Sequence, residues 1–329
     1  MTRYIIKRML LLIPIIIGVS FLVYCIMSLT PGFNDPGRIL LGMDATQEAV
    51  ERVNRLFGAD KPFFTRYFNY MGGIVQGDFG LSYRTQQSVT SEILRRFPVT
   101  LRVTLLSIFL SIIIGIPIGV ISAVRQYYLI DYISRVISMM MTAIPSFWLG
   151  LVFLLLFSLH LGWLPSSGIQ SWQGYILPSL SLSIVSMGLM IRITRSSMLE
   201  VVRQDYIRTA RAKGMREGSI IMRHGLRNAL IPVVTVAGTT FGTQLGGAVI
   251  IESVFAVPGL GTYILAAVNN RDLPCVLGAV ILLAASFGLI NLAVYIIYTF
   301  IDPRIKGMYA THKRRRRIEE EVLPKTQSV

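Results

Sequence analysis

Long uncharged apolar blocks constrain this chain more than any other feature of its sequence. Residues 9–29 contain no charged side chain, and a helix needs about 20 apolar residues to cross a bilayer. Similar blocks lie at 103–124, 136–161, 229–251 and 274–301, and a weaker one lies at 175–191. The pattern predicts an all-α integral membrane protein with six transmembrane helices. Pro145 inside the third block predicts a kink in that helix.

The charged residues lie between these blocks. The net charge is +15, although only 15% of the residues are charged, compared with about 25% in soluble domains. In a soluble protein this balance would suggest nucleic acid as a partner. Basic residues that are confined to the loops of a membrane protein instead set its orientation. We therefore expect membrane lipid around this chain and no nucleic acid.

The loop charges predict which side of the membrane each segment faces. Nine basic residues fall in loop 192–228 and others lie at both ends of the chain, whereas loop 162–174 has no Lys or Arg. Because the cytoplasmic side carries the excess of Lys and Arg, both termini and loop 192–228 are predicted to be cytoplasmic. Segments 30–98 and 252–273 are predicted to lie outside.

The predicted spans divide the chain into four parts. Residues 1–29 hold the N-terminal transmembrane helix, and residues 30–98 form a small external helical insert. Residues 99–302 hold a core of five transmembrane helices, including loop 192–228, and residues 303–329 form a basic cytoplasmic tail. The insert is too short and irregular to carry a catalytic core of its own.

Single cysteines test this orientation. A cysteine at Gln86 and a cysteine at Gly218 should react with an impermeant thiol reagent from opposite sides of the membrane, because the first position lies in the insert and the second in the basic loop. Accessibility labelling of intact and of inverted vesicles measures this. Reaction of both positions from the same side would contradict the six-span arrangement.

The sequence carries no motif of nucleotide, metallopeptidase or serine-hydrolase chemistry. It has no G-x-x-x-x-G-K-[ST], no H-E-x-x-H and no G-x-S-x-G. Cys25 and Cys275 lie inside apolar blocks and predict no disulfide framework. We therefore predict a transport protein without a catalytic, cofactor-binding or metal site of its own. The alternative of an intramembrane enzyme is disfavoured, because the sequence offers no candidate nucleophile–base pair.

Hydroxyl and amide side chains are concentrated in two of the apolar blocks. They include Thr239, Thr243 and Gln244 in the fifth block and Ser183 in the fourth. Such residues permit close helix packing and interhelical hydrogen bonds, and they are equally suited to line a path for a polar solute. The predicted spans carry no charge, which argues against a self-sufficient proton-driven transporter.

Two loops between the spans contain residues that predict local structure: loop 192–228 and the loop after the fifth block. In loop 192–228, Val202, Tyr206 and Ala210 recur at helical spacing until Gly214 interrupts the pattern. This segment is either a helix–glycine–helix element that docks onto another protein or a loop that only sets topology. The loop after the fifth block predicts a turn near the mouth of a pore, with Glu252, Pro258, Gly259 and Gly261.

The basic loop resembles a known cytoplasmic motif. DYIRTARAKG followed by LRNALIPVVT resembles the EAA loop of permease subunits in ABC importers, in the form found in the dipeptide/oligopeptide/nickel branch. Arg208-Thr209-Ala210 stands where the general motif has Glu-Ala-Ala, and Gly214 matches its glycine. Other segments that resemble this branch follow in order: RYIIKRMLLLIPIIIGVSFLVY, GDFGLS, IPSFWLGL, LGWLPSSG, ESVFAVPGLG and FIDPRIKG. The long insert is similar to that of the B-type subunit.

The resemblance implies the type I ABC importer permease fold and a place in a larger machine. A B-type permease would pair with a homologous C-type permease to form the pore, in the plasma (inner) membrane of a bacterium or archaeon. Two ABC ATPase subunits would bind ATP and Mg, and an external binding protein would deliver di- or oligopeptides. Contact with the ATPases would involve Asp205, Tyr206, Arg208, Thr209, Ala210, Ala212 and Gly214. Permeases of this kind also carry nickel chelates, glutathione or oligosaccharides.

Overall fold

The computed structural model describes residues 2–301, which form a bundle of helices. The predicted tail, 303–329, lies outside these residues. Within the described part, one isolated antiparallel bridge joins Leu81 to Ser88. The helices, numbered in chain order, are α1 Thr2–Leu29, α2 Pro36–Leu41, α3 Gln47–Leu56, α4 Phe63–Val75, α5 Val89–Val124, α6 Leu129–Ala143, α7 Ser146–Phe153, α8 Ile176–Val202, α9 Asp205–Ala212, α10 Glu217–Ser219, α11 Arg227–Val254, α12 Leu260–Asn269 and α13 Leu273–Ile301. Two π-helical segments, Leu154–His160 and Ile220–Leu226, continue α7 and α10.

The number of membrane spans agrees with the prediction from the apolar blocks. Five helical stretches of the described residues are long and apolar enough to cross a bilayer, and they contain α1, α5, α8, α11 and α13. A sixth is obtained if α6 and α7, with its π-helical continuation, count as one bent span. The all-helical, six-span architecture is therefore confirmed.

The predicted kink at Pro145 is a complete break. The two helices meet at 97°, and both Ile144 and Pro145 have extended backbone angles, with ψ of 128° and 133°. A proline disfavours the α conformation of the residue before it, so α6 ends at Ala143. The helix predicted over 136–161 is therefore two helices in different directions.

Two spans are longer than their apolar blocks predict. α5 begins at Val89, inside the segment assigned to the insert, and Ser88 caps it by accepting a hydrogen bond from the Ser91 N–H at 3.5 Å. α8 continues to Val202, so Arg192 lies on this helix directly after the apolar block 175–191. The predicted blocks are uncharged, but the helices extend beyond them and carry charged residues in their flanking turns.

Small residues bring α5 and α8 together at the centre of the bundle. A Cβ added at Gly115 would lie 2.7 Å from the Met190 Cβ, and one added at Gly119 would lie 2.7 Å from the Thr194 Cβ. The Ser111 hydroxyl lies 2.6 Å from the Ser186 hydroxyl. Close helix contact through small residues and hydroxyl bonds is the usual packing in membranes. α11 packs against α8 and α13, and α1 packs on the outer side of α13.

The insert is fixed to one end of the bundle, which we call the insert end. Asp272, between α12 and α13, is 3% exposed and accepts hydrogen bonds from the Ser82 hydroxyl at 2.5 Å and from the Tyr83 N–H at 3.1 Å. Burial raises the pKa of the Tyr83 phenol. The segment between α8 and α11 lies at the opposite end.

Candidate translocation path and coupling segment

A short exposed helix follows α8 at the opposite end of the bundle. The coupling segment, residues 204–218, contains α9 and the start of α10. Ile207 is 0% exposed, and α9 packs against the π-helical segment Ile220–Leu226, which itself packs on α8 and α11. The residues predicted to contact an ATPase all lie on it: Ala210 is half-buried, whereas Asp205, Tyr206, Arg208, Thr209, Ala212 and Gly214 are exposed.

Gly214 ends the first arm of the coupling segment, as the sequence pattern predicts. Its φ is +74°, in the left-handed region that favours glycine. The Met215 N–H donates to the Ala210 carbonyl at 3.3 Å, and this bond satisfies one of the last carbonyls of α9. Across the turn, Arg211 and Glu217 form an ion pair at 2.6 Å that joins the two arms.

A buried carboxylate binds three helices together near the same end. Asp131 on α6 is 0% exposed, and it accepts from the Arg195 Nε at 2.6 Å and from the Ser122 hydroxyl at 2.7 Å. The Tyr127 N–H donates to it at 3.1 Å. This cluster joins α5, α6 and α8 immediately before the coupling segment. Sequence reasoning missed it, because Asp131 follows the second apolar block and its partner Arg195 is 64 residues away.

An open cavity of about 360 Å³ lies where the α6–α7 break faces α8 and α11, and its wall is mainly apolar, with Leu182, Val185 and Leu189 among its residues. Its hydroxyl and amide groups come from Thr142, Ser146, Ser186, Thr240, Thr243 and Gln244. Two of the residues predicted to line a path, Thr243 and Gln244, are thus placed in its wall. The other two do not line it: Thr239 is exposed, and Ser183 is fully buried beside α5.

The orientation of the Gln244 amide is fixed by its neighbours. Its Nε2 donates to the Ser186 hydroxyl at 2.7 Å and to the Leu182 carbonyl at 3.3 Å. A carbonyl accepts but does not donate, so the nitrogen must face Leu182. The amide oxygen is buried and has no hydrogen-bond partner within the described residues.

The chain turns after α11 at the insert end, and the predicted loop 252–273 contains α12. Glu252, which was predicted to lie in this loop, is instead in the last turn of α11 and is 0% exposed. Its carboxylate accepts from the Gly261 N–H at 2.7 Å, at the start of α12. The Thr100 hydroxyl donates to the same carboxylate at 2.5 Å. A Cβ added at Gly259 would overlap this carboxylate, so a larger residue there would displace it. Pro258 is exposed.

Six helical spans with an open cavity between four of their helices, and an exposed helix at one end, suit a membrane transport subunit. Comparison with known proteins assigns the family. Residues 115–307 match the family "Binding-protein-dependent transport system inner membrane component", and residues 1–104 match the N-terminal family of the same transport systems. This chain belongs to that family of ABC importer permeases. It is a multi-pass inner-membrane protein.

Relatives match along nearly the whole chain. It is 42% identical over 306 residues to the glutathione transport system permease protein GsiC of Escherichia coli (strain K12), which covers 93% of this chain and 99% of the relative. The GsiC protein of Shigella flexneri serotype 5b matches equally well. The inward-facing MetNI methionine ABC transporter has a similar fold, with a TM-score of 0.55 and 23% identity over 64% of this chain and 96% of that chain.

Membership in this family defines the subunit's place in a complex. An ABC importer permease is a transport subunit, and ATP hydrolysis takes place in a separate ATPase. A substrate-binding protein, ATPase subunits and a partner permease are therefore its partners.

Proposed function

We propose that this chain is a pore-forming permease of an importer for small peptides, with glutathione in its substrate range. The observation that carries the proposal is the 42% identity to a glutathione permease along 93% of the chain, since glutathione is itself a tripeptide. The cavity supports it, because hydroxyl and amide groups in its wall can pair with the N–H and C=O groups of a peptide.

We also propose how the subunit contacts its partners. The coupling segment docks into a cleft on an ATPase that binds ATP and Mg, as helix-in-groove contacts do. Its exposed residues and its buried Ile207 support this arrangement, since one side packs on the π-helical segment Ile220–Leu226 and the other is accessible. The insert and the Glu252 turn lie together at the other end, where the binding protein delivers substrate. In this arrangement both termini are cytoplasmic.

Uptake by the complete transporter tests the proposed substrate. The permease pair, its ATPases and its binding protein are reconstituted in proteoliposomes and supplied with labelled tri-alanine, glutathione, a nickel–histidine chelate or maltotriose. We expect ATP-dependent uptake of tri-alanine and glutathione only, with ADP as the control nucleotide. Uptake of the chelate or the sugar without uptake of either peptide would contradict the proposal.

A bulky side chain at Thr243 should block the cavity. Thr243→Trp adds a ring to its wall, and we expect peptide uptake to fall at least about tenfold, the effect of roughly 1.4 kcal/mol. Gln244→Leu should also impair uptake, because it removes the buried amide. Leu22→Trp is the control, since Leu22 is 57% exposed on the peripheral helix α1. Normal uptake by both cavity variants, with the permease pair assembled, would mean that these residues only pack helices.

A further inference from the structure

One basic residue in the wall of the cavity has no role in the architecture described so far. Arg192 lines the cavity on the same face of α8 as Leu182, Val185 and Leu189. It is exposed and forms no ion pair with any residue that the structure describes. Arg195, one turn further on, is neutralised by Asp131. No acidic side chain lines the cavity, so Arg192 provides an uncompensated positive charge there.

A cation in this position is expected to serve the transported solute. A charged side chain within a membrane span is costly, and such residues face a water-filled cavity and mark the pathway of a substrate or ion. The planar guanidinium donates two parallel hydrogen bonds to a carboxylate. The charge therefore selects for an anionic group, and the fork geometry matches a carboxylate.

The Gln244 amide lies in the same wall, but it is not available to a solute. Its Oε1 is enclosed by protein, and its Nε2 donates to Ser186 and Leu182. Arg192 is therefore the group in this wall that an anionic solute meets.

We propose that Arg192 binds the C-terminal carboxylate of the transported peptide. The permease then contributes to selectivity, favouring peptides with a free carboxylate over the same peptides as amides. This inference rests on the proposed peptide-import function and names the group of the substrate that is recognised in the path.

A matched pair of substrates tests the inference in the reconstituted transporter. Tri-alanine and tri-alanine amide are each loaded onto the binding protein, and kcat/KM of uptake is measured for wild type, Arg192→Gln and Arg192→Lys. We expect Arg192→Gln to lower kcat/KM for tri-alanine at least about tenfold, as the loss of a charged hydrogen bond does, with little change for the amide. Arg192→Lys, which keeps the charge, should restore most of the loss. Arg125→Gln removes an exposed charge outside the cavity and is the control.

The outcomes separate this inference from the proposed function. Equal uptake of the two substrates by wild type, an unchanged Arg192→Gln variant, or an equal loss for both substrates would each overturn the role of Arg192 while peptide import stands. Failure of wild type to import either substrate would overturn peptide import itself.

Discussion

Replacing Asp131 with alanine should lower the stability of the folded permease by about 3–5 kcal/mol, the usual cost of removing one partner of a buried ion pair. Asp131 is 0% exposed, and the Arg195 side chain that it binds is only 18% exposed. The substitution also leaves the Ser122 hydroxyl and the Tyr127 N–H without their acceptor. Three helices lose a common contact, so the effect is larger than that of one surface ion pair.

The midpoint of denaturation of the detergent-solubilised permease pair measures this loss. Arg135→Gln is the matched control, because Arg135 lies 3.9 Å from the same carboxylate with its side chain 46% exposed. An exposed pair contributes at most about 1 kcal/mol. Similar midpoints for Asp131→Ala and Arg135→Gln would show that the buried cluster does not stabilise the bundle.

A valine at position 214 should uncouple transport from ATP hydrolysis. Gly214 has a φ of +74°, and a residue with a Cβ pays about 1–2 kcal/mol to adopt this conformation. That strain corresponds to roughly a tenfold shift in equilibrium away from the turn that joins the two arms. We expect peptide uptake and substrate-stimulated ATP hydrolysis both to fall about tenfold, while the permease pair still assembles.

A second substitution at the same position separates backbone strain from loss of a small side chain. Asparagine adopts the left-handed conformation more readily than valine, so Gly214→Asn should retain most of the activity. Ala210→Glu, which places a charge in the proposed contact, should uncouple without straining the turn. Wild-type stimulation of ATP hydrolysis in both Gly214→Val and Ala210→Glu would mean that the segment only sets topology.

In the coupling segment, some features follow from a few consecutive residues, and others depend on tertiary contacts. The left-handed turn at Gly214 is a property of a few consecutive residues, and the sequence predicts it. The sequence also places Tyr206 and Ala210 on one helical face. It does not reveal that Ile207 is the buried residue of this helix. The pattern of a short amphipathic helix does not specify which of its faces packs against another part of the protein.

For the predicted path, composition predicts which residues are suitable, and helix packing decides which of them line the cavity. The composition of the fifth apolar block indicates that it contains residues suited to a path, and Thr243 and Gln244 line the cavity. Ser183 has the same chemistry, but its position on α8 places it against α5, where it is fully buried. Helix rotation relative to two neighbours decides between packing and lining, and one sequence does not specify that rotation.

The lengths of the apolar blocks were enough to predict the class of fold and the number of spans. Burial of about 20 consecutive apolar residues is favourable enough in a bilayer to fix a helical span, whatever surrounds it. The tertiary structure decided where charge is tolerated within those spans. Asp131 and Arg195 neutralise each other across 64 residues, Glu252 at the end of α11 accepts from the first turn of α12, and Arg192 faces a cavity. The free energy of a buried charge depends on partners that are distant in sequence, so the positions of these groups become visible only once the helices are packed.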